Sequence, residues 1–111
     1  RYGLSKLTDL SMFHNHLCMQ AGAYQNGTWV LAAAKAGVEE GIHHIGGSCI
    51  ISPTGEIVGI CKSEDDEVIT AECDLSEGDK IRETIFNFEN HRQIKYYGSI
   101  TSQTGALKPN N

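Results

Sequence analysis

Four cysteines are the residues of this 111-residue chain best suited to covalent catalysis: Cys18, Cys49, Cys61 and Cys73. A cysteine nucleophile needs a base and an oxyanion stabiliser within hydrogen-bond reach. It typically lies on a sharp turn or at a helix N-terminus, where its pKa is lowered. Cys18 instead falls in the middle of a predicted helix, and the other three fall in predicted strands. We interpret all four as buried, free thiols in a reducing compartment, and keep a disulfide as the alternative.

Histidines and acidic residues offer a few spacings that resemble metal sites. His14 and Cys18 are four residues apart on the predicted helix, and His43-His44 offers further imidazoles. However, the sequence contains no CxxC or HExxH spacing. The acidic run Glu64–Glu67 lacks the alternating oxygen ligands and the glycine of an EF-hand loop. We therefore predict no metal site and no cofactor.

Three further clusters have both a functional and a structural interpretation. Gly46-Gly47-Ser48 is similar to a phosphate cradle, but no lysine follows and a strand comes next, which favours close backbone approach instead. Glu39-Glu40 either reaches an active-site rim or lies in a solvated loop. A basic and aromatic group either binds a substrate carboxylate or forms a protein interface, and we favour the interface. Its members are Arg82, His91, Arg92, Tyr96 and Tyr97.

Composition excludes several classes of partner. The net charge is −5 and the lysines are scattered, so we expect no nucleic-acid partner. No apolar run approaches the roughly 18 residues that cross a membrane. Hydrophobic residues make up 40% of the chain, which is enough for a core. We expect a soluble, cytoplasmic protein.

The first predicted element is a long helix. Thr8 or Asp9 caps it, and Asn26-Gly27 ends it because glycine readily adopts the left-handed conformation beyond a helix C-terminus. Its apolar residues recur mostly at helical spacing and predict one apolar stripe, made of Leu10, Phe13, Leu17, Met19, Ala21 and Tyr24.

Strands are predicted for the middle of the chain. The first is short, continuously apolar and therefore buried. The second and third form a hairpin closed by the turn Pro53-Thr54-Gly55. The fourth alternates apolar and polar residues, as a half-exposed strand does, and residues 35–47 are predicted as a loop. The predicted strands are residues 28–34, 48–52, 56–61 and 68–73.

A second helix and an irregular C-terminal region are predicted last. Asp74 caps this helix, with Glu77 in a pattern like a capping box. The helix reaches about Phe86 and is expected to bury Ile81, Ile85 and Phe86. Residues 87–97 have little periodicity, and residues 105–111 are expected to be disordered.

The predicted strands need more cover than the chain can supply. Residues 28–34 and 48–51 are apolar on both faces, and few helices are available to cover them. The chain begins at Arg1 without an initiator methionine, and Leu10 already lies in a helical pattern. We expect a longer enzyme whose catalytic part precedes Arg1. The rival hypothesis is a complete, non-catalytic assembly module.

Several blocks of residues together resemble one known family. Gly46–Gly55 (GGSCIISPTG) is similar to the Gly-x-Ser…Pro-x-Gly signature of the nitrilase, or carbon–nitrogen hydrolase, superfamily, although Ser52 stands where many members have Asp. The likeness spans nearly everything from Leu10 to Gly98 and is closest to the N-carbamoyl-D-amino acid amidohydrolases. The other blocks are Phe13-His14, Met19–Gly27 (MQAGAYQNG), Ala32–Gly37, Glu39-Glu40, Asp66–Ala71 (DEVITA), Arg82–Phe88 (RETIFNF), His91–Gln93 and Tyr97-Gly98.

This resemblance implies an α/β fold, namely the C-terminal part of an α-β-β-α sandwich over residues 1–98. Within it, residues 87–98 would be an interface tail that crosses to a partner subunit, and residues 99–111 a flexible tail. The family's Glu–Lys–Cys triad would precede Arg1, so no catalytic role falls on this chain.

The resemblance also implies an activity. The intact protein would hydrolyse N-carbamoyl amino acids of D configuration through a cysteine nucleophile, as a homodimer or a higher homo-oligomer. A related amidase, nitrilase or β-ureidopropionase activity is the close alternative. This chain by itself is expected to be inactive.

Overall fold

One long helix lies across a three-stranded antiparallel sheet in the computed structural model, which describes residues 4–109 and the side chains of residues 7–109. Residues 1–3 and 110–111, the ends of the predicted domain and tail, lie outside the described residues. The elements in chain order are α1 (Leu4–Asn26), β1 (Val30–Ala32), β2 (Ala36–Glu39), β3 (Ile42–Ile45), β4 (Cys49–Ile51), β5 (Ile57–Ile60), α2 (Asp79–Glu83), α3 (Phe88–His91), a 3-10 turn (Ile94–Tyr96) and α4 (Gly98–Ser102).

The core lies between α1 and one face of the sheet. Strand β4 is central, with β1 and β5 antiparallel on either side. Ala23 of α1 is buried against Cys49 and Ile51 of β4. Because side chains alternate along a strand, β1 contributes every second residue to this face. In β5 a β-bulge breaks the alternation, so both Ile57 and Ile60 lie on it. The half-buried residues packed there are Met19, Val30, Ala32, Ile57 and Ile60.

The hairpin of β4 and β5 confirms the predicted turn. The amide of Gly55 donates to the carbonyl of Ser52 over 2.9 Å. Gly55 has φ +87°, a conformation that glycine adopts without strain. The strands span residues 49–51 and 57–60, shorter than predicted, but backbone hydrogen bonds from Ser52 to Glu56 and from Cys61 to Ser48 extend their pairing at both ends.

Helix α1 ends at Asn26 as predicted, with Gly27 at φ +55°, but it begins earlier than Thr8. Of the predicted apolar stripe, Leu10 and Met19 are half-buried and Met19 packs against the core, but the other four residues are exposed. His16 and Ala23 are buried and Met12 is half-buried, whereas Phe13 is 57% exposed and Leu17 is 49% exposed. Two apolar faces therefore run along α1, and only one meets the sheet. We call the other, formed by Phe13, Leu17 and Tyr24, the outer stripe.

Residues 35–47 were predicted as a loop, and this is wrong. Strands β2 and β3 form a separate two-stranded hairpin in which Val38 pairs with His43 and Glu39 pairs with Ile42. Glu40 and Gly41 make the tight turn, with φ +51° and +78°. Two successive positive φ values define the turn that best matches strand twist, and Asn-Gly is its usual sequence. The Glu40-Gly41 pair adopts the same turn, but the positive φ strains the backbone at Glu40.

We expect Glu40→Asn to stabilise this hairpin. A non-glycine residue in the left-handed region costs of order 1 kcal/mol, and asparagine tolerates that region better than glutamate. The free energy of unfolding should rise by up to about 1 kcal/mol, measured by urea denaturation of the protein that carries this chain. Glu39→Asn, at a neighbour without positive φ, should give no such gain. Equal effects at both positions would contradict the explanation.

Residues 68–73 do not form a strand. The predicted alternation is present, since Ile69, Ala71 and Cys73 are half-buried and their neighbours are exposed, but no other described strand pairs with this segment. Strand structure requires a hydrogen-bonded partner, which side-chain alternation alone does not provide. The segment therefore has the side-chain pattern of a strand without the ladder.

The second predicted helix is much shorter than expected. Asp74 closes a turn, accepting from the amide and the hydroxyl of Ser76, and helix α2 begins only at Asp79. Gly78 lies buried against the backbone of Gly27, so the chain reaches α1 before it turns into the helix. Of the three residues expected to be buried, Ile81 and Phe86 are half-buried, whereas Ile85 is exposed.

The C-terminal region consists of short helical turns with exposed apolar side chains. Asn87 caps α3 by accepting from the amide of Asn90. Ile94, Tyr96 and Ile100 are all exposed. Helix α4 begins at the last residue of the predicted interface tail and continues into the predicted flexible tail. None of the described helices combines the length and the hydropathy of a membrane span.

The chain exposes more surface than a self-contained domain of its mass. Its accessible surface is 8842 Å², whereas a folded monomer of this mass exposes about 6,000 Å². Its radius of gyration is 18.7 Å, against about 13 Å for a compact domain of this length. The excess agrees with the expectation that apolar faces of this chain require cover from elsewhere.

Candidate functional site

The cysteines do not form an activated nucleophile among the described residues. All four are free, but only Cys49 is buried, so the prediction of four buried thiols is wrong for the exposed Cys18 and for the half-buried Cys61 and Cys73. Burial, and then the nearby Cys61, raises the pKa of the Cys49 thiol. Partial burial, and then Glu67, raises the pKa of Cys61. A raised pKa keeps a thiol protonated at neutral pH, which disfavours nucleophilic attack.

The histidines singled out in the sequence are dispersed. His14 is exposed and its ring lies against Phe13, with centroids 5.6 Å apart. His43 Nε2 lies 2.8 Å from Glu64 Oε1 and ties the β2–β3 hairpin to the acidic loop. Within residues 4–109, no three histidine, cysteine or acidic side chains come together as metal ligands.

The glycine corner, defined here as Gly46-Gly47-Ser48, is a mostly buried backbone segment with polar contacts to α1 and to the chain just past the end of β1. Both glycines are buried and have positive φ. The backbone of Gly47 accepts a hydrogen bond from the buried His16 ring, with Nε2 and O 2.9 Å apart. A Cβ at Gly47 would overlap the sulfur of Met12. Close backbone approach, the structural interpretation of these glycines, is what the structure shows.

Ser48 connects the glycine corner to the end of β1. Its hydroxyl accepts from the amide of Ala34 over 2.8 Å and donates to the carbonyl of the same residue over 3.2 Å. Both backbone groups of Ala34 are thus satisfied beyond the last residue of β1. The serine side chain thereby continues the pairing of β1 with β4 past the ladder.

Glu67 organises the acidic loop, residues 62–67, through hydrogen bonds within the loop. Its carboxylate accepts from the amide and hydroxyl of Ser63 at 3.0 and 2.9 Å and from the amide of Lys62 at 3.1 Å. The hydrogen bonds from the Ser63 amide and hydroxyl are the main cause that lowers the pKa of Glu67, followed by the Lys62 amide. The loop is therefore closed from within by a charge-assisted cap.

This cap should weaken as the pH falls. The pKa of Glu67 is lower in the folded chain than its ordinary value of about 4.3, so the cap stabilises the loop fully above that value. The stabilisation is lost as the pH falls through the folded pKa. We expect Ser63→Ala to raise the pKa of Glu67, measured by NMR titration of its carboxyl carbon. Thr70→Ala, which removes a hydroxyl outside the loop, should leave that pKa unchanged, and an equal shift in both variants would contradict the assignment.

A polar cleft of about 320 Å³ lies between the glycine corner and the acidic loop. Its volume is in the range of small-molecule sites. One wall is the end of β1 with the glycine corner, and the other is the acidic loop. Its lining residues are Ala34–Ala36, Gly46–Ser48, Cys61 and Ser63–Glu67.

An apolar groove continues from this cleft over the sheet face that α1 does not cover. Leu31, paired with Ile50, lies on this face and is 68% exposed. Ile50 is only 7% exposed. The side chains of Ile50 and Ile69 both lie next to Gly59, so Ile69 covers Ile50. The prediction that residues 28–34 form a buried strand is therefore wrong for this face in the described chain. The cleft and the groove share Ser48, Cys61 and Glu67.

The other candidate clusters lie away from the cleft, except that Glu39 contacts Lys35 in its lining. Glu40 stands at the exposed tip of the β2–β3 hairpin, and Glu39 forms an ion pair with Lys35. Arg82 binds the carbonyl of Gly27 and the carboxylate of Asp79, so it fixes the C-terminus of α1. The rest of the basic and aromatic group does not gather with it into one site: Arg92 and Tyr97 line a separate shallow depression, and Lys95 lies over Tyr96.

Comparison with protein families identifies the chain. The model of the carbon-nitrogen hydrolase family matches residues 6–83, more than two thirds of the sequence. The chain belongs to the carbon-nitrogen hydrolase family.

Two curated relatives of this carbon-nitrogen hydrolase chain carry nitrilase descriptions. A Schizosaccharomyces pombe protein described as a "probable nitrilase" is 29% identical over 78% of this chain and 32% of its own length. The nitrilase and fragile histidine triad fusion protein NitFhit of Caenorhabditis elegans is 34% identical over 90% of this chain and 23% of its own. The chain therefore spans a third or less of these relatives.

A solved structure confirms the predicted α/β fold. The crystal structure of a carbon-nitrogen hydrolase from Helicobacter pylori G27 superposes on this chain with a TM-score of 0.68. The match covers 79% of this chain and 32% of the other, at 24% sequence identity. The described elements therefore form part of a nitrilase-like α/β fold.

The contacts that organise the cleft in this carbon-nitrogen hydrolase chain were not predicted from the sequence. His16 was expected in a polar contact at the surface or an interface, but it is buried and bonded to Gly47. The Glu64–Glu67 run was expected only as a solvated loop. Each depends on a partner that spacing does not identify: Gly47 lies 31 residues from His16. The one local signal was the glycine pair Gly46-Gly47. It indicated that another part of the chain packs closely against this backbone, but it did not identify Met12 and His16 as that part.

Proposed function

We propose that this chain is the C-terminal part of a hydrolase that cleaves N-carbamoyl amino acids, with those of D configuration as preferred substrates. The observation that supports this most is the run of matching blocks from Leu10 to Gly98 in a chain that belongs to the carbon-nitrogen hydrolase family. Blocks outside the Gly46–Gly55 signature, such as MQAGAYQNG and RETIFNF, are the ones that resemble the carbamoyl amidohydrolases in particular.

The reaction would use groups outside this chain. By resemblance to the family, a cysteine thiolate attacks the carbamoyl carbon, a glutamate acts as base and a lysine stabilises the oxyanion. A covalent thioester-like intermediate is then hydrolysed. One water is consumed overall, and the products are the amino acid, ammonia and carbon dioxide. The raised pKa values of Cys49 and Cys61 support the absence of the nucleophile from this chain.

The part described here would supply one sheet of the sandwich and one wall of the substrate region. The groove over Leu31 and Ile50 is the natural place for the second sheet, since stacked sheets bury their facing apolar residues. The polar cleft opens onto that groove through Ser48, Cys61 and Glu67. Groups carried by the second sheet would therefore meet the glycine corner.

A related nitrilase or amidase activity is the second candidate. The descriptions of the relatives from S. pombe and C. elegans both contain the word nitrilase, and each relative is similar to most of this chain. Cleavage of a nitrile, a simple amide or a β-ureido acid would use the same kind of thiolate attack. Substrate choice in such enzymes depends on groups that bind the rest of the substrate.

Self-association is part of the proposal. The outer stripe of α1 and residues 87–98 expose large apolar side chains that a second subunit would cover, giving a homodimer or a higher homo-oligomer. We propose a cytoplasmic location as well, because free thiols such as the exposed Cys18 are typical of reducing compartments. The chain would have no catalytic activity on its own.

A substrate panel assayed with the intact protein tests this function. We expect ammonia release from N-carbamoyl-D-amino acids to exceed release from their L forms, from β-ureido acids, from simple amides and from nitriles. Preference for amides or nitriles would replace the first candidate by the second. An upstream reading frame without a glutamate, a lysine and a cysteine in that order would refute hydrolysis and favour a non-catalytic assembly module.

A further inference from the structure

A single hydrogen bond links the outer helix to the polar cleft. His16 is only 9% exposed, and its Nε2 lies 2.9 Å from the carbonyl oxygen of Gly47. A carbonyl oxygen can only accept, so Nε2 carries the hydrogen and His16 is the donor. The bond joins residues 31 positions apart and is buried, which makes it stronger than an equivalent surface contact.

The glycine corner needs such a restraint. Gly46 and Gly47 have φ +73° and +85°, and two adjacent glycines have more backbone freedom than any other pair. The bond from His16 fixes the orientation of the peptide between Gly47 and Ser48. That peptide in turn sets the position of Ser48, whose hydroxyl holds both backbone groups of Ala34.

Helix α1 makes a second contact of the same kind at the other end of β4. Gln20 Nε2 donates to the carbonyl of Gly55 over 2.9 Å. His16 and Gln20 are one helical turn apart and therefore share a face of α1. The helix thus holds the chain before and after the central strand, but only the His16 contact adjoins the cleft.

We propose that His16 is a positioning residue for the reaction: its hydrogen bond to Gly47 fixes the cleft wall formed by Gly46, Gly47 and Ser48. This inference rests on the proposed function, in which that wall faces the catalytic groups. His16 does not touch the substrate, because the backbone of Gly47 lies between it and the cleft. Its effect is geometric, and small displacements of reacting groups lower turnover strongly.

Two substitutions of His16 by amide residues, made in the intact enzyme, distinguish the effect of the hydrogen bond from the effect of side-chain packing. In His16→Gln the terminal amide nitrogen falls near the place of Nε2, whereas in His16→Asn it falls near Nδ1 and cannot reach Gly47. The asparagine variant also leaves the buried carbonyl of Gly47 without its donor, which lowers stability, so kcat is compared at a temperature where both variants are fully folded. We expect His16→Asn to lower kcat by roughly tenfold or more with little change in KM, and His16→Gln to restore most of kcat.

The controls distinguish this inference from the proposed function. Melting temperatures of both variants report any loss of folding, and His14→Asn on the exposed side of α1 should keep the parent's kcat. A parent enzyme inactive on the substrate panel would refute the proposed function, and the inference with it. An active parent with unchanged kcat in His16→Asn, or with equal losses in the asparagine and glutamine variants, would refute the inference alone.

Discussion

Residues 1–111 produced alone should show no cooperative unfolding transition and no hydrolysis. The hydrophobic residues buried within the described chain are Ala23, Cys49, Ile50 and Ile51, which is a very small core. The accessible surface of 8842 Å² exceeds the roughly 6,000 Å² of a folded monomer of this mass. Such a chain cannot bury enough apolar surface to offset its loss of conformational entropy. We expect a broad thermal profile, binding of a hydrophobic dye and a tendency to aggregate.

The matched control is the same chain produced together with the polypeptide that we propose precedes it. In that case the groove over Leu31 and Ile50 should be covered, and one sharp transition should appear. Differential scanning calorimetry provides the decisive measurement. A single heat-absorption peak from residues 1–111 alone, with an enthalpy near the ~0.7 kcal/mol per residue of ordinary domains, would contradict the prediction. Such a peak would favour the assembly module.

Local signals in the sequence were sufficient for the parts of the fold that depend on few neighbours. Asn26-Gly27 ends α1 because positive φ favours glycine, and Pro53-Thr54-Gly55 closes the β4–β5 hairpin for the same kind of reason. These features require only a few consecutive residues. The family resemblance added the fold class, which no local pattern in a chain of this length establishes.

Non-local contacts explain what the sequence did not predict. Residues 68–73 alternate like a strand but lack a partner, and the β2–β3 hairpin forms although its turn has Glu40 where asparagine is usual. His16 is buried because Gly47 approaches it, and no spacing between the two indicates this. The sequence therefore indicated two parts of the candidate cleft, the glycine pair and the acidic run. It did not indicate the contacts that bring them together.

The apolar pattern of α1 illustrates the same limit in a way that bears on assembly. Helical spacing selected Phe13, Leu17 and Tyr24, which do not meet the core. On another face Met19 and Ala23 pack against the sheet, and Met12 and His16 contact Gly47. A helix with two apolar faces packs against two neighbours, and periodicity does not say which neighbour belongs to the same chain. Tyr24 meets Phe86 edge-on at 5.0 Å between ring centroids, so the outer stripe continues onto the C-terminal region.

Leu17→Asp in the intact protein should abolish the self-association that we propose. Leu17 is 49% exposed in the middle of the outer stripe, where a second subunit would bury it. Association can bury only the exposed half of Leu17, which contributes about 1 kcal/mol, and a two-fold interface loses that contribution twice. The buried carboxylate adds a further penalty. The dissociation constant should therefore rise by roughly a thousandfold or more.

Molar mass measured by sedimentation over a range of concentrations tests this prediction. Leu17→Asp should give the mass of one subunit at concentrations where the parent is associated. Ser11→Asp provides a matched control, because it adds the same charge to an exposed position of α1 outside the outer stripe. If Leu17→Asp keeps the parent's mass, the outer stripe is not the subunit interface. Because the stripe lies on a different face of α1 from the one that holds the glycine corner through His16, loss of association with unchanged kcat would also show that assembly and cleft geometry are independent.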